Sequence, residues 1–404
     1  MKRIIFVILI SLIFFNGCSY GTDVENQAFI VAIGVDKGDS FPLKTTFIFA
    51  NPSGSNEGGG GEGKSPSSPK PDSVTVEAPT VYSAVRKLDS IKSKTINLSH
   101  IKIVVFSDEI AKSGIKDYLT AFASSRDFRP NTYVCITEGN AGEYLKGVKP
   151  SQEIFIEKYY DNIMHKVASD KVNEAYLYYL YFNVSESFSG SLVPLAALSK
   201  NKTENSSPNT NPTGDDLEYN AIAGDILRDA ENPAEMLGSA ILKNDKMVGT
   251  LGSFQTDLAR IICDEYYPRN YSISYPGDKD FLTIRLIQQE HTQIKTKIAN
   301  DNAEILIYVP ISIEYVDAGK IENDIGQSKE FCDFLEDKLN EKAKELVYDS
   351  QVVYKCDILG LKNSLKRHFP DIKAWEKWNW KDKYSTAKIE VLFDVEYADF
   401  EEGN

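Results

Sequence analysis

The stretch that decides the fold of this chain is residues 281–316, FLTIRLIQQEHTQIKTKIANDNAEILIYVPISIEYV. Apolar and polar residues alternate on both sides of Asn300-Asp301-Asn302, and this period of two is typical of strands with one buried face. Asn and Asp tolerate the left-handed backbone that tight hairpin turns require. The stretch therefore predicts an antiparallel β-hairpin.

A long helix and a final strand follow this hairpin. From about Gln327 to Asp357 the apolar period becomes helical, and at 1.5 Å per residue the helix would be about 45 Å long. Its apolar stripe is Cys332, Leu335, Leu339, Ala343, Leu346 and Val353. The final strand, 385–400, has one apolar face made of Ile389, Val391, Phe393, Val395 and Tyr397. Together they predict a C-terminal α+β domain, 276–404, in which an antiparallel sheet packs against one long helix.

Strands and helices alternate in the N-terminal half, which predicts an α/β domain over 19–199. The predicted strands are QAFIVAIGVDK (27–37), FPLKTTFIFA (41–50), SVTVEA (73–78), IKIVVFS (101–107) and TYVCIT (132–137). Thr80 can cap one helix, and a second runs from about Asp108 to Ala123. The helical stretch AYLYYLYF, 175–182, is interpreted as core packing. Residues 51–71, rich in Gly, Ser and Pro, predict a flexible insertion.

A polar segment separates the two halves. Residues 200–216 are rich in Asn, Ser, Thr and Pro and predict a linker, followed by a middle subdomain over 217–275. Within that subdomain we predict a strand at 218–227, a hairpin turn at Asn244-Asp245 and a helix at 252–263. The fold class predicted for the whole chain is α+β and multi-domain, with mixed or antiparallel sheets packed with helices.

Composition limits the classes of protein to which the chain can belong. The 404 residues are 42% hydrophobic and 26% charged, which is typical of a globular protein. The 45 Lys and Arg oppose 59 Asp and Glu, a formal charge of -14. This excess of acid disfavours nucleic acid as a partner, and it disfavours binding to anionic lipid through a basic patch. A membrane contact would need a covalent anchor or a protein partner.

The cysteines after residue 18 do not form a metal-binding pattern. Cys135, Cys263, Cys332 and Cys356 are far apart, with no CxxC spacing and no neighbouring pair of histidines. Each lies in an apolar run, so we interpret them as buried apolar residues. Spacing leaves a disulfide open. We expect no metal ion and no cofactor.

The N-terminus has the three parts of an export signal. Lys2 and Arg3 precede an apolar run from Ile4 to Phe15, which is too short to span a bilayer. Phe15, Asn16, Gly17 and Cys18 follow, and they resemble the lipobox of bacterial lipoproteins. We therefore predict a signal peptide over 1–18 and a diacylglycerol lipid on the Cys18 sulfur, with a plain secretory signal as the alternative.

The sequence contains no recognisable catalytic motif. It has four histidines (His100, His165, His291 and His368), and no HExxH or GxSxG motif. Ser99 and His100 are adjacent, but neighbours on a strand point to opposite faces and cannot form a nucleophile and base there. We predict a protein that is not an enzyme.

One cluster of charged residues lies between a predicted helix and a predicted strand. SRDFRP, 125–130, contains Arg126, Asp127 and Arg129. The two guanidinium groups could bind a carboxylate of a partner, or they could cap the preceding helix and pair within the chain. The sequence leaves both alternatives open.

These motifs together resemble the Ger(x)C family of spore-germination lipoproteins. The resemblance extends over nearly the whole chain and is carried by a lipoprotein signal, AIGVD (32–36), AVRKL (84–88), NLSHIKIVVFSDEIAKSGI (97–115), SRDFRP, AILKNDKMVGTLG (240–252) and YKCDILGLKNSLKRHFPDIKAWEKW (354–378). The positions that match family motifs are His100, Arg126, Asp127, Arg129, Asp357, Gly360, Arg367, Pro370 and Trp375. Two features depart from the pattern, namely Val76-Glu77-Ala78-Pro79 in place of a Gly-rich turn, and the length of 51–71.

The resemblance implies the C subunit of a nutrient germinant receptor in an endospore-forming bacterium. Such a subunit is tethered to the outer face of the spore inner membrane and works with a partly membrane-embedded A subunit and a transporter-like B subunit. The matched positions are then candidate partner-interface residues, and whether this subunit touches the germinant stays open. Two alternatives are a substrate-binding lipoprotein of an importer, against which the hairpins of 281–316 argue, and a surface hydrolase.

Overall fold

The computed structural model of the chain describes residues 24–50, 72–150, 155–168, 175–185, 190–199, 216–217, 219–226, 231–266, 268–274, 281–317 and 329–398. The predicted signal peptide, the predicted insertion 51–71 and the predicted linker apart from Asp216 lie outside these residues. The described residues form two β-sheets that pack with helices around separate apolar cores. The predicted α+β class is confirmed.

The first sheet has nine strands in the described part of the chain. They are β1 (Gln27–Lys37), β2 (Leu43–Phe49), β3 (Ser73–Ala78), β4 (Thr95–Asn97), β5 (Ile103–Ser107), β6 (Tyr133–Thr137), β7 (Gly190–Leu198), β8 (Ala234–Lys243) and β9 (Lys246–Leu251). Their order is β3-β2-β1-β5-β6-β7-β8-β9, and β4 pairs with the start of β1. Strands β4, β1, β5, β6 and β7 are parallel to one another, whereas the outer strands are antiparallel to their neighbours. The amino ends of the parallel strands therefore lie at one edge of the sheet.

Helices cover both faces of this sheet. They are α1 (Val81–Asp89), α2 (Asp108–Ser113), α3 (Lys116–Ser124), α4 (Ala141–Gly147), α5 (Ile156–Ala168) and α6 (Leu177–Ser185). Helices α1, α2, α3 and α6 contribute to the core on one face, and α4 and α5 to the core on the other. The predicted cap is confirmed, since the Thr80 side chain accepts a hydrogen bond from the Ser83 backbone N–H at 3.1 Å. The helix predicted over 108–123 is instead two helices, because Gly114 between them adopts a φ of 125°.

The tyrosine-rich stretch is only partly buried, so its interpretation as core packing is wrong for the three exposed residues of the eight, Tyr178, Tyr179 and Phe182. Leu177, Leu180 and Val184 of α6 face the core. Tyr178 and Phe182, one turn apart on the opposite face, are 49% and 48% exposed. The helix is thus amphipathic, and its aliphatic residues rather than its aromatic ones form the buried stripe.

The second sheet has five strands and is built around one long central strand. Its strands are β10 (Arg269–Ser274), β11 (Phe281–Ile287), β12 (Gln293–Ala299), β13 (Asn302–Asp317) and β14 (Lys388–Tyr397). Strands β11 and β12 pair with opposite halves of β13, and β14 pairs along Glu304–Ile313. The predicted hairpin turn is confirmed, since Asn300 and Asp301 have φ values of 49° and 60°, the left-handed backbone of a type I′ turn.

The last strand departs from the predicted antiparallel arrangement. β14 is parallel to β13, whereas the other pairs of this sheet are antiparallel. The reason is the connection: the chain leaves β13, passes through the long helix α8 (Lys329–Tyr348) and re-enters the sheet in the same direction. Alternation along the strand was predicted correctly, and Val391, Phe393 and Val395 are buried.

The long helix is shorter than predicted. It ends at Tyr348, and Asp349–Val353 form a turn of π-helix. Cys332, Leu335, Leu339, Ala343 and Leu346 form the predicted buried stripe, but Val353 is 60% exposed. A turn of π-helix contains more residues than a turn of α-helix. A residue assigned to the buried face from the α-helical period, such as Val353, therefore does not lie on that face after the π-turn.

The predicted middle subdomain, 217–275, is divided between the two sheets. Strands β8 and β9, joined by the predicted turn at Asn244-Asp245, extend the first sheet. The predicted helix is α7 (Ser253–Ile262), and it packs in the core of the second sheet. The predicted strand is wrong over the described residues 219–226, which are irregular apart from a turn at Ala223 and Gly224. There the Asn220 Oδ1 atom accepts from the Gln255 backbone N–H at 3.1 Å, so this segment helps to cap α7.

Candidate functional site

The first group of predicted site residues lies at the edge where the parallel strands of the first sheet begin. We call this the amino edge; it consists of the start of β1 at Gln27 and of the loops before β4 (90–94), β5 (98–102) and β6 (125–131). His100 is exposed, and its ring contacts the Phe29 ring edge-on at 4.6 Å between centroids. The Ser99 hydroxyl donates to the Asn97 Oδ1 atom at 2.6 Å. Ser99 and His100 are therefore engaged with other groups and do not form a nucleophile and base.

The loop that contains Arg126, Asp127 and Arg129 is held by the aromatic residue within it. Phe128 is buried and contacts Phe122 of α3 at 4.6 Å between ring centroids. The burial of Phe128 turns its charged neighbours outward, and all three are exposed. Within the described residues neither guanidinium forms an ion pair, so the structure provides no support for the internal pairing considered above. The loop presents two arginines to the outside of the molecule.

Helix α6 adjoins the same loop. The backbone N–H of Leu177 donates to the Thr132 carbonyl at 2.8 Å, and that of Tyr178 donates to the Pro130 carbonyl at 3.3 Å. The exposed rings of Tyr178 and Phe182 contact each other edge-on at 4.5 Å. Exposed aromatic rings and exposed arginines therefore occur side by side at the amino edge. The sequence pattern missed this, because AYLYYLYF has no polar residue to mark its outer face.

The second group of predicted residues surrounds a buried carboxylate in the C-terminal part of the chain. Asp357 accepts hydrogen bonds from the backbone N–H groups of Leu361 (3.0 Å) and Lys362 (2.9 Å) and from the Trp380 indole N–H (3.0 Å). Gly360 adopts a φ of 63°, which lets the chain turn back over the carboxylate. Burial raises the pKa of Asp357, although these three hydrogen bonds oppose the rise. The carboxylate fixes the loop and the tryptophan from within, so it is a positioning group and not a contact residue.

An aromatic cluster lies beside this carboxylate, in the short helices α9 (Lys362–Lys366), α10 (Ile372–Trp378) and α11 (Trp380–Lys383). Trp378 stacks on Trp380 at 5.8 Å between ring centroids, with 7° between the ring planes. Trp375 is half-buried and contacts Phe369 at 5.4 Å, whereas Pro370 is exposed. Of the predicted positions in this region, Arg367 and Pro370 are exposed, Gly360 and Trp375 are half-buried, and Asp357 is buried. Trp380, which joins the cluster to Asp357, was not singled out from the sequence.

A cleft of about 360 Å³ separates the two sheets. Residues that line it include Tyr179, Asn183, Arg260, Glu265, Lys362 and Asn363. Arg260 and Lys362 are buried, and burial raises the pKa of Glu265, with Arg260 opposing the rise. Positively and negatively charged side chains thus occur together in this cleft between the two sheets.

A buried polar network beside this cleft supports Arg260. The Tyr271 hydroxyl donates to Asp257 at 2.9 Å, and Arg269 and Arg260 lie 3.7 and 4.0 Å from the same carboxylate. Burial raises the pKa of Asp257, while the two arginines and the Tyr271 hydroxyl oppose the rise. The network joins α7 to β10 within the part of the structure that contains the second sheet.

The aspartate of the AIGVD motif also has a structural role. Asp36 is buried at the end of β1 and accepts from the backbone N–H groups of Ala141 (2.6 Å) and Gly142 (2.8 Å), at the start of α4. Burial raises the pKa of this carboxyl, and the two hydrogen bonds oppose the rise. The sequence indicated Asp36 only as part of a motif. Its contact with α4 is not a local feature of the sequence, because 105 residues separate the two partners.

The described residues offer no other chemical centre of the kinds considered above. Among them, no group of three or more His, Cys, Asp or Glu side chains is arranged to hold a metal ion. No helix within the described ranges combines the length and the apolar character needed to cross a bilayer. The site thus consists of the exposed amino edge, the Asp357 loop and the cleft.

Comparison with known proteins gives consistent matches along the chain. The family profile described as "Spore germination protein N-terminal domain" matches residues 21–197, and the profile "Spore germination B3/ GerAC like, C-terminal" matches 237–400. Spore germination protein GerQC of Bacillus cereus is 20% identical over 98% of both chains. Spore germination protein KC of Bacillus subtilis (strain 168) is 23% identical over 94% of this chain and 90% of its own.

A solved structure has the same fold. The crystal structure of the GerBC protein superimposes with a TM-score of 0.53 and covers 91% of this chain and 97% of its own, at 15% identity. At that identity the likeness concerns the fold alone.

Proposed function

This chain belongs to the Ger(x)C family of spore-germination proteins, and on that premise we propose that it is the C subunit of a spore germinant receptor. The observation that carries the proposal is the order and extent of the two family regions, 21–197 and 237–400, which together span most of the chain. Full-length alignment with GerQC and with protein KC supports the same conclusion. The role is non-catalytic in this proposal, since the Ser99 hydroxyl donates to Asn97, the His100 ring packs on Phe29, and the sequence contains no recognisable catalytic motif.

The subunit is held at the membrane by lipid in this proposal. A diacylglycerol on the Cys18 sulfur provides two acyl chains, and each buried CH₂ contributes about 0.8 kcal/mol, enough for stable anchoring. The positive residues Lys2 and Arg3 and the apolar run before Cys18 support export by this route. The location is the outer face of the spore inner membrane.

Anchoring would bring the exported body next to its A and B subunits. A tether confines the body to a thin layer beside the bilayer and so raises its effective concentration for membrane partners. The exposed Pro370 remains a candidate contact residue for these subunits. Direct contact with the germinant is not part of the proposal.

The test is a pair of variants in spores. We expect Cys18→Ala to remove the protein from the membrane fraction and to abolish nutrient-triggered germination, while germination by a stimulus that needs no nutrient stays normal. Thr22→Ala, four residues after the predicted lipid site, is the matched control and should behave as wild type. Normal nutrient germination of the Cys18→Ala spores, with the variant still membrane-bound, would contradict the anchor.

The importer alternative makes a different prediction. A binding protein with two βα lobes would bind its nutrient tightly as an isolated ectodomain, whereas the second sheet here is mostly antiparallel and lacks that repeat. Isothermal calorimetry of the purified protein with candidate nutrients distinguishes the two. We expect no tight binding, and a micromolar or stronger affinity would favour the importer.

A further inference from the structure

We propose that the amino edge of the first sheet lies against the bilayer and that its arginines and aromatic rings contact the lipid headgroups. This inference rests on the proposed lipid anchor at Cys18 and adds an orientation and a contact surface to it. Four observations support it, namely the length of the tether, the direction of the strands, the exposed aromatic rings and the distribution of charge.

The tether is too short to leave the amino edge far from the membrane. Six peptide units separate Cys18 from Val24, and six residues span at most about 20 Å. β1 begins three residues later and runs away from this point over eleven residues, a distance of about 33 Å. The tether therefore keeps the amino edge within about 20 Å of the anchor, whereas the far end of β1 lies about 33 Å beyond that edge.

Strand direction brings other segments to the same edge. β4, β5 and β6 are parallel to β1, so the loops that precede them lie at the anchored end. Among the residues of these loops, Ile91 is 58% exposed, although it is a large aliphatic residue. Helix α6 adds Tyr178 and Phe182 beside Pro130. Aromatic rings with a polar or exposed edge favour the headgroup level of a membrane.

Charge distinguishes the two ends of this sheet, although the chain as a whole is acidic. The charged residues of the amino edge and the turn before β1 are Glu25, Lys92, Lys94, Lys102, Arg126, Asp127 and Arg129. Lys92 and Lys102 form ion pairs with Asp72 and Asp161, so within the described residues Lys94, Arg126 and Arg129 supply the basic charge that no ion pair balances. Those at the opposite ends of β1, β5 and β6 are Asp36, Lys37, Asp39, Asp108, Glu109 and Glu138. An anionic bilayer therefore attracts the first end and repels the second.

Lipid is the occupant that these observations favour. An acylated Cys18 places the bilayer surface within about 20 Å of this edge. Cations beside aromatic rings also fit the phosphate and interfacial layers of a membrane. A protein partner at this edge would be a different outcome of the test.

The experiment uses the acylated protein purified in detergent and reconstituted into vesicles of phosphatidylcholine with 30 mol% phosphatidylglycerol (about one anionic lipid in three). Mass measurement of the N-terminal peptide first tests the anchor itself. The rates at which a water-soluble reagent acetylates individual lysine side chains are then compared between vesicles and detergent. The two lysines compared are Lys94, at the amino edge, and Lys37, at the end of β1. We expect a several-fold fall for Lys94 and no change for Lys37.

Variants test the named contacts. Each basic side chain near an anionic surface favours contact about fivefold, so Arg126→Gln with Arg129→Gln should reduce the population facing the membrane about thirtyfold and remove the protection of Lys94. Tyr178→Ser with Phe182→Ser should act in the same direction. Because all four side chains are exposed, unchanged near-ultraviolet circular dichroism serves as the folding control.

The outcomes separate the two proposals. A non-acylated N-terminal peptide refutes the anchor, and with it the basis of this inference. An acylated, vesicle-bound protein whose Lys94 stays fully reactive, or whose Lys37 becomes protected instead, overturns the orientation alone. Protection of Lys94 that requires a co-reconstituted membrane protein overturns the assignment to lipid.

Discussion

We expect a variant without the Asp357 carboxylate to unfold at a much lower denaturant concentration than the wild type. The reason is that this one carboxylate accepts hydrogen bonds from three buried donors. Its Oδ1 atom accepts from the Leu361 N–H, and its Oδ2 atom accepts from the Lys362 N–H and the Trp380 indole. Asp357→Ala removes both oxygen atoms. The three donors then remain buried without an acceptor.

The magnitude follows from this count. An unsatisfied buried donor costs about 1–3 kcal/mol, and removing the carboxylate, whose pKa is raised by burial, returns part of its desolvation penalty. We therefore expect Asp357→Ala to lower the free energy of unfolding by about 3–5 kcal/mol. Asp357→Asn keeps one oxygen, which can serve the two donors at the Oδ2 position, and should cost about 1–2 kcal/mol.

The chain provides its own probe for this measurement. All three tryptophans, Trp375, Trp378 and Trp380, lie in the aromatic cluster that Trp380 joins to Asp357, so intrinsic fluorescence during urea unfolding reports on this region. With a slope of about 2–3 kcal/mol/M, Asp357→Ala should move the midpoint down by about 1–2 M. Trp380→Phe should cost less in the Asp357→Ala background than in the wild type, because it removes an already unsatisfied donor.

Two results would refute this reasoning. The first is an Asp357→Ala variant that unfolds at the same urea concentration as the wild type. The second is an Asp357→Asn variant that is less stable than Asp357→Ala, since the retained oxygen would then serve no donor.

Two further predictions concern Gly190 and Asp257. A Cβ atom at Gly190 would lie 2.4 Å from the Asp357 backbone carbonyl oxygen. Gly190→Ala should therefore destabilise the protein by about 1–3 kcal/mol, measured as a lower urea midpoint. An unchanged midpoint would show that β7 can move away from Asp357. Burial raises the pKa of Asp257. At a pH above the ordinary pKa of an aspartate, this carboxyl therefore binds a proton more readily in the folded protein than in the unfolded chain. Lowering the pH from neutral toward the raised pKa should therefore stabilise the fold, and Asp257→Asn should flatten that rise in urea titrations at several pH values; an equally steep rise in the variant would assign the effect to other groups.

Local patterns predicted individual elements well where one physical signal dominates. Asn300-Asp301 predicted a hairpin turn because few residue types tolerate its backbone, and both residues adopt that backbone. Alternation over 281–316 predicted strands, and the stripe from Cys332 to Leu346 predicted the buried face of a helix. The predicted lipid site at Cys18 likewise depends on a local pattern, and it remains a prediction.

The candidate site was predicted in part. The loop with Arg126 and Arg129 is exposed, as a contact surface requires, and the structure adds the reason, which is the burial of Phe128 between them. Asp357 was placed among candidate interface residues, but its burial makes it a positioning group. A motif indicates that a residue matters to the family, and only its environment shows whether it contacts a partner or supports the fold.

The sequence by itself determined where strands, helices and turns form, because backbone preference and the period of apolar residues act over a few neighbouring positions. Tertiary structure decided the pairing of strands that no tight turn joins. It made β14 parallel to β13 and divided 217–275 between two sheets. It also left Tyr178 and Phe182 exposed while Leu177 and Leu180 were buried, since all four are apolar enough for a core and the choice depends on the surface that α6 meets. Such choices depend on contacts between residues far apart in the chain, which no local period records.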